Sequence, residues 1–139
     1  MRHVPRQRYL AHGHVYLGNL LVAMGDVDGG LAELTRARAI YATIAAQDTS
    51  NALWRRNLAN ASRFIGQALL ERGDTAAALR ELTASRAQLG RLLAASPDNR
   101  AMRRDASLAE SSLARALLAA GQPADALAAA RQAVDLGRG

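Results

Sequence analysis

Cysteine is absent from the 139 residues, and so is lysine: all 18 basic side chains are arginines. Without cysteine there are no disulfides and no thiolate-held metals, and the redox compartment leaves no trace in the sequence. Aromatic residues are scarce, with one Phe, one Trp and three Tyr, so there is no stacking platform for the bases of a nucleic acid. No run of about 18 apolar residues is present, so no bilayer-spanning helix and no membrane partner are expected. The start, Met1-Arg2-His3-Val4-Pro5, lacks the apolar core of a secretory signal, and cytoplasmic residence is expected. The only histidines are His3, His12 and His14. His12 and His14 are two residues apart, which puts them on different sides of a helix and argues against a shared metal. No metal or other cofactor is expected.

What is present is a repeat with a period of 48 residues. Gly25, Gly73 and Gly121 each follow an apolar helical run and precede another. The register holds on both sides of the turn: Leu17, Ile65 and Leu113 correspond, as do Leu21, Leu69 and Leu117, and Leu34, Leu82 and Ala130. Repeats of this size mark solenoids, in which each unit buries its apolar face only against its neighbours. Half the residues are apolar, mostly Ala and Leu, which favour close helix packing over strands. The expectation is one all-α repeat domain over 1–139, with units of about 1–47, 48–95 and 96–139.

Apolar spacing at three and four residues, together with punctuation, predicts six helices in three antiparallel hairpins. They run from about Arg6 to Met24, Asp28 to Ala46, Ala52 to Arg72, Thr75 to Ala95, Arg100 to Ala120 and Pro123 to Leu136. Gln47-Asp48-Thr49-Ser50-Asn51 and Ser96-Pro97-Asp98-Asn99 are the linkers between hairpins. Each turn glycine fits a left-handed helix C-cap, and Pro123 fits a first helical turn. Asp26, Asp28, Asp74 and Asp125 sit at the turns, where short acidic side chains cap helix starts and face the helix dipole. Capping therefore explains these carboxylates better than acid–base work. The turn glycines follow no strand and do not match a phosphate loop. The chain is read as noncatalytic.

Within each unit a large residue precedes a small one at Leu17-Gly18, Ile65-Gly66 and Leu113-Ala114. Small residues recur in the second helix at Gly30, Ala78 and Ala126 and at Ala37, Ser85 and Ala133. Small residues on facing sides let two helices approach closely. This pattern, over nearly the whole chain, resembles the tetratricopeptide repeat. The usual unit of that family has 34 residues, so each hairpin here is longer by 14 residues, about four helical turns. The extension repeats too, with Asn51 to Ala59 echoed by Asn99 to Ser107. This long variety is similar to arrays at the C-terminal end of bacterial serine/threonine kinases and other signalling proteins.

The resemblance implies an α-solenoid whose first helices line a concave groove and bind a protein or peptide. Carried onto this chain, the groove positions are His12, Val15, Asn19 and Val22, then Asn60, Arg63, Gln67 and Leu70, then Leu108, Ser111, Arg115 and Leu118. Asn19, Asn60, Gln67 and Ser111 can hydrogen-bond a peptide, and Arg63 and Arg115 can hold an acidic group through charge-assisted bonds. Arg63 is expected to be solvated, so that its charge can be reversed without harm to the fold. Chaperone-binding members hold a C-terminal carboxylate with a Lys/Asn/Arg set, and Val15 stands at one of the basic positions.

The formal charge of +6 leaves an Arg-rich nucleic-acid surface as a further reading. Against it, the arginines are scattered and interspersed with acids rather than gathered in a patch. Arg55-Arg56 and Arg103-Arg104 form either a basic ladder or structural pairs around the linkers at Asp48, Asp98 and Asp105. Self-association of the array is the remaining alternative, because no polar capping helix closes it.

Overall fold

The computed structural model describes residues 4–138, and His3 lies outside them. Among the described residues there are six helices and no strand. They are α1 (Val4–Ala23), α2 (Val27–Gln47), α3 (Ala52–Glu71), α4 (Thr75–Ala95), α5 (Arg100–Ala119) and α6 (Pro123–Gly137). Every boundary lies within two residues of the one expected from punctuation.

The hairpin turns repeat in atomic detail. Gly25, Gly73 and Gly121 have φ of 95°, 88° and 77°, the left-handed region that a side chain disfavours. The next residue in each case returns a bond to the helix just ended: Asp26 N–H donates to the Leu21 carbonyl at 2.8 Å, Asp74 to Leu69 at 2.9 Å and Gln122 to Leu117 at 2.9 Å. This six-residue closure satisfies carbonyls that the helix end would otherwise leave orphaned. The Asp26 and Asp74 side chains then cap the next helix by accepting from Gly29 N–H at 3.0 Å and Ala77 N–H at 3.3 Å. Gln122 makes no such bond, and Pro123 opens α6 in its place. Between hairpins, Asn51 and Asn99 cap α3 and α5 at 3.0 Å.

Within a hairpin the helices meet at the small residues. A Cβ built on Gly66 would lie 2.6 Å from Leu82 Cγ, and one on Gly18 would lie 2.8 Å from Leu34 Cγ. A hydroxyl bridges each of the later hairpins. Ser85 Oγ donates to the Ala59 carbonyl at 2.9 Å, and Ser107 Oγ to the Ala133 carbonyl at 2.8 Å. These are the same two repeat positions with side chain and backbone exchanged.

Between hairpins, the second helix of one unit docks on the first helix of the next. Leu34 of α2 shares a core cluster with Ile65 and Ala68 of α3, and Leu82 of α4 shares it with Leu113 and Ala116 of α5. Further along, Ala37 and Tyr41 meet Ala61, and Leu89 and Leu92 meet Ala106 and Ala109. Full burial of a Leu such as Leu34 or Leu82 stabilises by about 1.5–3 kcal/mol. The backbones of α1 and α3, and of α3 and α5, also approach one another closely, whereas those of the second helices α2, α4 and α6 do not, α2 and α4 meeting through the long side chains of Arg38 and Glu81. The array therefore curves toward the side of α1, α3 and α5, and polar side chains from different units converge there.

Candidate functional site

At the centre of this inner side is a cleft of about 290 Å³, walled by α1, α3 and α5 with Tyr41 of α2 at its back. Its ionic geometry starts from Asp105. The carboxylate is buried in α5 and accepts from Arg56 Nε and from Asn60 Nδ2 of α3, the latter at 3.0 Å. Arg56 and Asp105 are thus matched, an ion pair linking two units.

Arg63 lies one turn further along α3 and is only 6% exposed. Among the described residues no carboxylate forms an ion pair with it. Its guanidinium packs over the Phe64 ring, 4.6 Å from the centroid. Nε and Nη2 donate to a single oxygen, Asn60 Oδ1, at a long 3.4 and 3.3 Å. Burial pulls its pKa below the usual guanidinium value, Asp105 counters this, and Arg104 adds to the lowering. Arg104, on the opposite wall, is exposed and likewise has no ion-pair partner. The cleft therefore presents two guanidinium groups against one carboxylate that Arg56 already holds. His12 and Asn57 complete the polar wall, and Val15 and Leu108 are apolar.

His12 Nδ1 meets the Tyr41 hydroxyl. Burial, and secondarily Arg8, lowers the His12 pKa, and burial raises that of Tyr41 to about 12. The contact is therefore a hydrogen bond between a neutral phenol and a neutral imidazole, its direction set by the histidine tautomer. The cleft opens along α1 into a second hollow, lined by His12, Val15, Tyr16, Asn19, Leu20 and Ala23. The two share His12 and Val15, so a polar, cationic pit continues into a mainly apolar trough.

The residues expected to line the groove are not equivalent. Asn60 and Arg63 come together in the cleft, and Asn19 lies in the trough. Gln67 is occupied, donating through Nε2 to Ser112 Oγ of the next unit at 2.7 Å. Ser111 Oγ turns back to the Ser107 carbonyl at 3.1 Å. Arg115 is exposed and lies 3.8 Å from Glu71. Arg63 itself corrects the expectation that it is solvated. Reversing its charge would bury a carboxylate close to Asp105, so the change is structural as well as electrostatic.

Asn57, Arg104 and Asp105 belong to the cleft and were not among the expected groove positions. Their signal was in the repeat. Arg56 pairs with Asp105, one unit and one residue on, whereas the equivalent Arg104 forms no ion pair among the described residues. The arginine pairs thus divide between the two readings, with Arg56 structural and Arg104 unmatched. His14 accounts for itself differently, with Nδ1 2.5 Å from Glu33 Oε2. No group of three or more potential metal ligands occurs among the described residues.

Another hollow, of about 690 Å³, is lined by α4 and α6 together with Arg103, Ala106 and Glu110 of α5. There Arg86 meets Glu110 Oε1 at 2.7 Å, while Glu110 Oε2 and the Nε of Arg103, which also lines the hollow, are buried without a hydrogen-bond partner. The Glu110 pKa is raised by burial and only partly restored by Arg86. None of the described helices is long and apolar enough to cross a membrane. No protein-family model matches the chain, and no curated protein is significantly similar to it.

Proposed function

We propose that the chain is a noncatalytic interaction module that holds a peptide segment of a partner protein on its inner side. An acidic group of the peptide sits between Arg63 and Arg104, and a neighbouring apolar side chain lies along the trough of α1. The carrying observation is the buried guanidinium of Arg63 without a carboxylate partner. A buried charge is costly unless paired, and a planar donor fork suits a carboxylate. Asn57 and His12 stand beside it to contact the peptide backbone, Asn60 being held between Arg63 and Asp105. The resemblance to the tetratricopeptide repeat supports the same reading, since its first helices face the ligand. It also supports a place within a larger bacterial signalling protein and a cytoplasmic setting. Each guanidinium is backed by a separate unit, which makes the site sensitive to the spacing of the hairpins.

The test is a peptide array probed with the purified chain. The peptides carry one Asp or Glu at varied distances from a Leu, Val or Phe, each beside its Asn or Gln counterpart. Binding should require the acid and persist in part from about 0.05 to about 0.5 M salt, because the inner guanidinium is shielded from screening. Arg104→Glu should lower affinity at least about tenfold, equivalent to about 1.4 kcal/mol. Arg91→Glu, an exposed site on α4 with the same change in net charge, should leave it unchanged. Equal loss in both variants, with all binding gone at high salt, would mean nonspecific Coulomb attraction by an Arg-rich surface.

A further inference from the structure

The docking seam between units is a fixed set of positions. On α3 it is Leu58, Ala61, Ile65 and Ala68, set against α2. On α5 it is Ala106, Ala109, Leu113 and Ala116, set against α4. Forty-eight residues before the α3 set stand Leu10, Gly13, Leu17 and Leu20 of α1, and all four are exposed. At the other end, α6 exposes Leu127, Ala130 and Val134, the counterparts of Leu31, Leu34 and Arg38 on α2. The array thus presents at one end the half of an interface whose other half lies at the opposite end.

We infer that the chain associates with a second copy of itself head to tail, α6 of one copy docking on α1 of the next as α2 docks on α3. The residues that differ from the internal seams differ in a matched way. Internally a leucine of the second helix, Leu34 or Leu82, shares a cluster with an alanine of the next unit, Ala68 or Ala116. At the junction the sizes are exchanged, with Ala130 on α6 and Leu20 on α1, so the summed volume is kept. The ion pair of Arg72 with Asp28 at 3.0 Å becomes Met24 with Ala124, both apolar and both exposed in the single chain. The pair of Arg38 with Glu81 becomes Val134 with Glu33. Glu33 needs no arginine from a neighbour, because His14 at 2.5 Å and Arg36 at 2.7 Å already hold it. Each lost charge is accounted for on both sides of the same contact. An unrelated partner would have no reason to meet this register.

Such a contact is heterologous and need not close, so it leads to open chains unless the curvature completes a ring. It is tested on the full chain with two blocked variants, Leu17→Arg at the α1 end and Val134→Arg at the α6 end. Both sites are exposed, and unchanged circular dichroism and melting establish that each variant folds. In sedimentation velocity the unaltered chain should form dimers and larger species as its concentration rises, and salt should not dissolve them. Each blocked variant alone should be monomeric, because every contact needs one end of each kind. Mixed in equal amounts, the two should form a one-to-one dimer and nothing larger, through the two unblocked ends. An unaltered chain that stays monomeric to about 1 mM overturns the inference. So does a Val134→Arg variant that still dimerises alone, which would show pairing of two α1 ends.

Discussion

Replacement of Gly66 in the middle of α3 should destabilise the fold although it improves the helix. An alanine in place of a helical glycine gains about 1 kcal/mol in propensity. Against that, the new Cβ would stand 2.6 Å from Leu82 Cγ and 2.7 Å from Cδ2, well inside contact distance. Leu82 is fully buried in the central cluster with Leu34, Ile65 and Leu113, so it cannot swing out without opening two unit interfaces. Overpacking of this kind costs about 1–3 kcal/mol. The net for Gly66→Ala is a loss of about 1 kcal/mol, and Gly66→Leu should lose about 2 kcal/mol or more by the same reasoning. Gly90 is the internal comparison. It lies in α4 with ordinary helical φ, and a Cβ there meets nothing within 4 Å. Gly90→Ala should therefore keep the propensity gain and stabilise by about 0.5–1 kcal/mol. Urea titration separates the two by about 2 kcal/mol, or about 8 °C in melting temperature for a chain of this length. If Gly66→Ala proves as stabilising as Gly90→Ala, the small-residue seam between α3 and α4 is misplaced.

The remaining expectations concern charges. Asp105→Ala should cost about 3 kcal/mol in denaturant titration, because it strands Arg56 and frees Asn60 at the junction of two units; a change below about 0.5 kcal/mol would show that the pair contributes nothing there. His12, with a folded pKa below its ordinary 6.5, binds fewer protons folded than unfolded. Its contribution is present above pH 6.5 and is lost as the pH falls through the lowered value; His12→Asn, the residue of the second unit, should remove that part of a melting-versus-pH curve. Glu110 has a raised folded pKa and acts with the opposite sign, stability falling as the pH rises from 4.5 through the raised value. Glu110→Gln should flatten that slope, and an unaltered slope would place its origin elsewhere.

The fold was legible because each of its devices repeats. The turn glycines, the Asp and Asn caps and the pairing of large with small residues recur at 48-residue spacing, and one period decides all three hairpins. The cleft was legible only in part. Positions 60 and 63 followed from the resemblance to the tetratricopeptide repeat, whose first helices face the groove, but neither it nor periodicity tells a solvated position from one closed over by the next unit. Gln67 is taken up by Ser112, and Arg63 is covered because α1 and α5 approach α3 from both sides. Asp105 was expected as an acid that pairs with the doubled arginines, and the Arg56 pair agrees, but its place in the cleft was hidden. Its counterpart in the second unit is Asn57, so the repeat changes chemistry where it makes the ionic link.

The measurement closest to the central claim is an NMR titration that follows the arginine Nε–H resonances. The full chain is titrated with an acidic peptide selected from the array, and in parallel with the same peptide bearing Asn or Gln for its acid. The account expects Arg63 and Arg104 to shift together with the acidic peptide, with Arg63 Nε–H moving to the position of a carboxylate-bound donor and its exchange with water slowing. Neither should move with the neutral peptide, and Arg91 should not move with either. Equal shifts at Arg91 and Arg104 with Arg63 unmoved, or the same response to both peptides, would contradict a carboxylate seat in the inner cleft.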